Sequence, residues 1–161
     1  MRQVEPGSRA IRPGTLMQKA IPPRLVEPYL TGRRSVIAGF VYRVQDSSFD
    51  DPAEFYDALD LRYEGSGFGP DLTEVYLLRW SAVAVETYQT PYSQENGGDW
   101  RAKPPFAGTG FTSSLAHRVA EYYTDPIPVP VGAEMYRITP GAEDFIARFD
   151  GQVWLRPSGG I

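Results

Sequence analysis

"DPIPVPVGAEMYRITPGAEDFIARFDGQVWLRP" occupies Asp125–Pro157. Asp150-Gly151 sits between two alternating runs, a strong hairpin signal, because a two-residue turn of this type needs positive φ. Pro140-Gly141 marks a second turn. The stretch therefore reads as a β-meander that closes the chain. Working back, "SVIAGFVYRV" (Ser35–Val44) is β-branched and aromatic and has the length of a strand with one buried face. "EVYLLRWSAVAVETY" (Glu74–Tyr88) reads as one long strand, or two with a bend near Ser81. Phe106–Ser114 reads as a short strand.

Helix signals are few. "DDPAEFYDALDL" (Asp50–Leu61) is the clearest. Asp51 is placed to cap, Pro52 suits the first helical position, and Glu54 completes a capping box. Phe55, Ala58 and Leu59 form its apolar face. "PPRLVEPYLT" (Pro22–Thr31) reads as a short helix that Gly32 ends. From Leu115, the spacing of Leu115, Val119, Tyr122 and Tyr123 predicts a third helix, with His117 facing solvent. Residues 89–105 are a polar loop long enough to be functional. The class is α+β: a β-rich single domain with a few short helices.

The chain has 161 residues, 42% hydrophobic and 13% aromatic, enough for one domain with a sizeable core. There is no cysteine and one histidine, which leaves no thiolate metal site and no His cluster for zinc. No apolar run approaches a membrane span and no signal-peptide core is present, so a soluble protein is expected, cytoplasmic or delivered into a target cell. Charge is uneven. Residues 1–34 hold seven Lys or Arg against two acids, +5, whereas the remainder carries −9. Residues 1–35 read as a basic, Pro-containing arm or linker before a compact domain over 36–161. An acidic globule makes nucleic acid an unsuitable partner.

Two motifs are set aside. "GSGFGP" (Gly65–Pro70) has a predicted helix before it and a strand after it, the reverse of a phosphate loop, and lacks Gly-Lys-Ser/Thr. Ser113 and His117 lack a third group to orient the ring and lie in no nucleophile elbow.

What remains is an ordered trio. Arg43 lies in "VYRVQD", Phe111–Ser114 in "GTGFTSSLAHRVAEYY", and Glu143 follows the Thr-Pro-Gly turn in the closing meander. Taken together these blocks resemble the ADP-ribosyltransferase superfamily of the arginine, serine, glutamate type, over roughly residues 36–157. The resemblance implies a split β-sheet core. It also implies cleavage of the nicotinamide–ribose bond of NAD, as an ADP-ribosyltransferase or NAD glycohydrolase, in a bacterial toxin-like domain. It makes Glu143 and Ser113 catalytic and Arg43 the phosphate ligand, with Thr112 on the ribose and Tyr42 or Phe111 stacked on nicotinamide. No metal is implied. The partners are NAD, an unidentified acceptor with proteins among the candidates, and a cognate immunity protein. Thr-Ser-Ser replaces the usual Ser-Thr-Ser. Gly141 stands where arginine-modifying members carry Gln or Glu, which points away from an arginine acceptor. A non-enzymatic acidic module that binds a basic partner, of immunity or inhibitor type, and a structural β-sandwich or barrel are the alternatives.

Overall fold

The computed structural model describes residues 9–62, 66–69, 71–101, 105–114 and 116–157. The Pro6-Gly7 turn, parts of the Gly65–Pro70 turn, Leu115 and the Gly-rich end lie outside them. Among these residues eight antiparallel strands form one curled sheet: β1 Leu16–Ile21, β2 Val36–Arg43, β3 Val75–Ser81, β4 Tyr88–Gln89, β5 Tyr122–Pro128, β6 Glu134–Thr139, β7 Ala142–Phe149 and β8 Trp154–Leu155. Their order is β4-β5-β2-β1-β3-β6-β7-β8. Two short α-helices among the described residues, α1 Val26–Leu30 and α2 Pro52–Ala58, pack against it. Among the described residues no helix is long and apolar enough to cross a membrane.

Strand alternation sends neighbouring residues to two cores. On β3, Leu78 and Trp80 join Met17, Ile21, Val41 and Met135 in one, packed against by Leu25 and Val26 beside buried Tyr29. Val75 and Leu77 join Tyr42, Phe55, Ala58 and Leu59 in the other, under α2. The cap behaves as its chemistry requires: Ala53 N donates to Asp51 Oδ1 at 3.1 Å. The meander forms over β6, β7 and β8, with Gly141 at φ 72° and Gly151 at φ 107° in its turns, whereas Asp125–Pro128, read as its start, belongs to β5 and pairs with β2.

Three expectations are corrected. Leu16–Ile21, assigned to an arm, is a strand near the middle of the sheet, pairing with β2 and β3. Its polar residues concealed it. Gln18 is fully buried, its amide donating to Ser47 O at 2.7 Å and its carbonyl accepting from Arg79 Nε at 3.0 Å. Phe106–Ser114 is no continuous strand and makes only isolated bridges. Residues 116–121 form no helix, because Val119 N is taken by Thr112 Oγ1 at 3.0 Å and Glu121 N by Gly110 O at 2.9 Å. His117 is accordingly half-buried, its Nε2 3.6 Å from Glu54.

The centre of the sheet parts. β1 pairs with β2 only at Met17↔Arg43 and Gln18↔Tyr42. Beyond these two pairs β1 follows β3, while Val36–Val41 follows β5 through an irregularity between Ile37 and Gly39. Lys19 stands in the opening and donates to Phe40 O at 3.1 Å.

Candidate active site

A cavity of about 670 Å³ opens where β1 and β2 part. That volume suits a small ligand or one half of a dinucleotide. Its walls come from four places: Lys19 on β1, Gly39, Phe40 and Tyr42 on β2, Asp60 after α2, and Glu121 with Tyr123 at the start of β5. Trp100, from the long loop, and Phe106, just after it, complete it. Four rings form an aromatic wall. Trp100 meets Tyr123 edge-on at 4.6 Å, Phe40 meets Tyr123 at 5.6 Å, and Phe106 lies 5.7 Å from Trp100. Such a wall attracts planar and cationic groups.

Glu121 is the most unusual group in it. The residue is 3% exposed, and its Oε2 has no hydrogen-bond partner among the described residues. Burial first, and then the charge of Asp60, push its carboxyl up to about 8 against the opposing charge of Arg9. A buried, unpaired acid is costly, and such groups concentrate at functional sites. Lys19 moves the other way. Burial, aided by the Arg34 charge, brings its amine down to about 8. Asp60 is buried as well, and burial raises its pKa despite hydrogen bonds from Ser113.

The residues expected from sequence are dispersed. Tyr42 lines the cavity and its hydroxyl donates to Leu59 O at 3.1 Å. Ser113 reaches it indirectly: its N and Oγ donate to the two oxygens of Asp60 at 2.7 and 2.9 Å. Thr112 Oγ1 is engaged inside its own loop, accepting from Val119 N. Phe111 is held between Arg9 and Arg118, 4.9 and 4.8 Å from its centroid. Arg43 is buried and bonds Asp46 at 2.5 Å. Glu143 is on β7, ion-paired with Arg79 and lining a separate cavity of about 430 Å³. A polar chain does connect it to the Arg43 backbone, through Arg79, Gln18 and Ser47.

Gly108-Thr109-Gly110 is explained by close approach. Gly108 has φ +72°, and a Cβ there would sit 2.3 Å from Ser93 Cβ. Gly110, at φ +83°, would meet Thr90 Cγ2 at 2.9 Å. Gly108→Ala is expected to lower stability by about 2 kcal/mol in urea melts, through overlap and backbone strain together.

Sequence reasoning missed Glu121, Asp60, Lys19 and Trp100. The one local signal for Glu121 was an acid flanked by "VA" and "YY", apolar on both sides. No family, curated protein or solved structure matches the chain.

Proposed function

We propose that the protein consumes NAD, cleaving its nicotinamide–ribose bond in the cavity between β1 and β2, with Glu121 as the carboxylate that acts on the ribose. The observation that carries this reading is the buried Glu121 carboxyl, whose Oε2 has no hydrogen-bond partner among the described residues, in the lining of an aromatic-walled cavity. Bond cleavage builds an oxocarbenium-like cation, and a carboxylate in a water-poor site stabilises that charge strongly. The rings of Trp100, Phe106 and Tyr123 suit the cationic nicotinamide of NAD. Lys19, with Arg34 near it, suits the pyrophosphate.

Two further features support a fold of the ADP-ribosyltransferase kind. The sheet divides into two wings at β1 and β2, as a split core requires. Glu121 immediately precedes β5 and follows the hydroxyl run, so it meets the description of an acid opening a late strand as well as Glu143 does. Glu143 is already neutralised by Arg79. The reading is tested by nicotinamide release from NAD. Release by the wild-type protein, lost in Glu121→Gln and kept in Glu143→Ala, is expected. No release by the folded wild type, with cell extract present as a source of acceptors, overturns it. In that case an acidic module for a basic partner takes its place.

A further inference from the structure

Asp60 is a residue that its own backbone disfavours. It has φ +55°, the one positive φ among the described non-glycine residues. That conformation costs about 1 kcal/mol outside glycine. It also follows the last turn of α2, where glycine or asparagine is the usual choice. A negative charge there faces the helix's carbonyl end, the unfavourable end of its dipole. Asparagine would relieve both penalties and still accept a hydrogen bond.

The carboxyl is nonetheless held firmly. Asp60 is 4% exposed, and its two oxygens accept from Ser113 N and Ser113 Oγ. Arg62 bonds the same Ser113 Oγ at 2.9 Å and lies 4.0 Å from Asp60 Oδ1. Each carboxylate oxygen keeps a further lone pair. The same cavity contains both Asp60 and Glu121, close enough for the Asp60 charge to act on Glu121. The cavity thus contains two acids, one unpartnered and one fixed in direction. Fixed direction is what a base needs to take a proton from an incoming nucleophile.

We propose that Asp60 is a catalytic base, that Ser113 positions it, and that water is the nucleophile it activates, which makes the protein an NAD glycohydrolase. The assignment rests on the NAD-consuming reading above. In the step, the water oxygen bonds to the ribose C1′ as the C1′–N bond breaks. The electron pair of that bond stays on the nicotinamide nitrogen, which leaves neutral. The water proton passes to the Asp60 carboxylate and then to solvent. ADP-ribose, nicotinamide and one proton are the products.

The test is Asp60→Asn, which suits the backbone and keeps an acceptor for Ser113, with folding checked by circular dichroism. Asp60→Gly, free of strain at this φ, is the second variant should asparagine fail to fold. Nicotinamide release from NAD is expected to fall about a hundredfold, the usual contribution of a general base. Added azide, a nucleophile that needs no base, should restore release at least tenfold and yield ADP-ribosyl azide. Glu121→Gln should not be rescued. Hydrolysis by Asp60→Asn at the wild-type rate overturns the proposal and leaves the NAD reading intact. So does a loss of activity that azide does not restore. Absence of turnover by the wild type overturns both.

Discussion

Glu121→Gln is expected to abolish nicotinamide release, by a factor of about a thousand or more, and to stabilise the fold at alkaline pH. Under the proposed function the first effect follows from removing the carboxylate assigned to the developing cation. The second follows from linkage. The Glu121 carboxyl is raised from 4.5 to about 8 in the folded protein. Between those values the native state binds more protons than the unfolded chain, so stability falls as pH rises through that window. Above it the full penalty remains. Glutamine carries none, and the variant should gain on the order of 3–5 kcal/mol at pH 9 and almost nothing near pH 4. Urea melts of both proteins at the two pH values check this, and parallel curves would contradict it. Lys19 acts in the opposite sense and at higher pH. Its amine is lowered from 10.5 to about 8, so its penalty is present below 8 and is relieved as pH rises towards 10.5. Wild-type stability should therefore dip near pH 8. The buried charges of this cavity cost the fold stability, the relation expected of a charged site inside a core.

The parts of the fold that were legible in the sequence owe their structure to nearby residues. α2 carries its cap, its proline and its apolar face within a few positions of one another. β6, β7 and β8 are joined by turns whose glycines adopt positive φ. β1 was not legible, because its stability is supplied from a distance. Gln18 and Lys19 are tolerable inside a sheet only because Ser47, Arg79 and the Phe40 carbonyl satisfy them. The hydroxyl run, expected as a wall of the site, has its side chains engaged elsewhere. Thr112, Ser113 and Ser114 turn inward to the loop and to α2: Thr112 closes on Val119, Ser113 on Asp60, and Ser114 on Asp57 at 2.6 Å. Helical spacing at Val119, Tyr122 and Tyr123 spans barely two turns and has no cap. The tertiary bonds of Thr112 and Gly110 overrode it, and that placed Glu121 at a strand start rather than on a helix face.

The short segment before β1 supplies the second large effect. Arg9 is stacked between Phe111 and Tyr122, 4.9 and 4.8 Å from their centroids. Its guanidinium donates to the carbonyls of Gly110 and Glu121, and to Thr90 Oγ1 at 3.3 Å. The Tyr122 hydroxyl donates back to Arg9 O at 2.6 Å. One side chain therefore clips the N-terminal segment, the glycine loop and the start of β5 together. Its charge also favours the ionised form of Glu121. Arg9→Met keeps much of the length and apolar contact, and it removes the donors and the charge. The Glu121 carbonyl then loses this donor in a half-buried setting, whereas Gly110 O keeps the bond from Glu121 N, and the cost is about 1–3 kcal/mol. The Glu121 carboxyl moves still higher, because its favourable neighbour is gone while burial and Asp60 remain. At pH 7 fewer molecules carry the ionised form, and kcat/KM for NAD should drop about tenfold, with the loss shrinking as pH rises. Arg9→Lys restores a charge but not the planar fork, and should recover only part of both effects. A variant that loses stability while its pH profile stays in place would show that Arg9 is a clip alone, with no hand in setting the charge of Glu121.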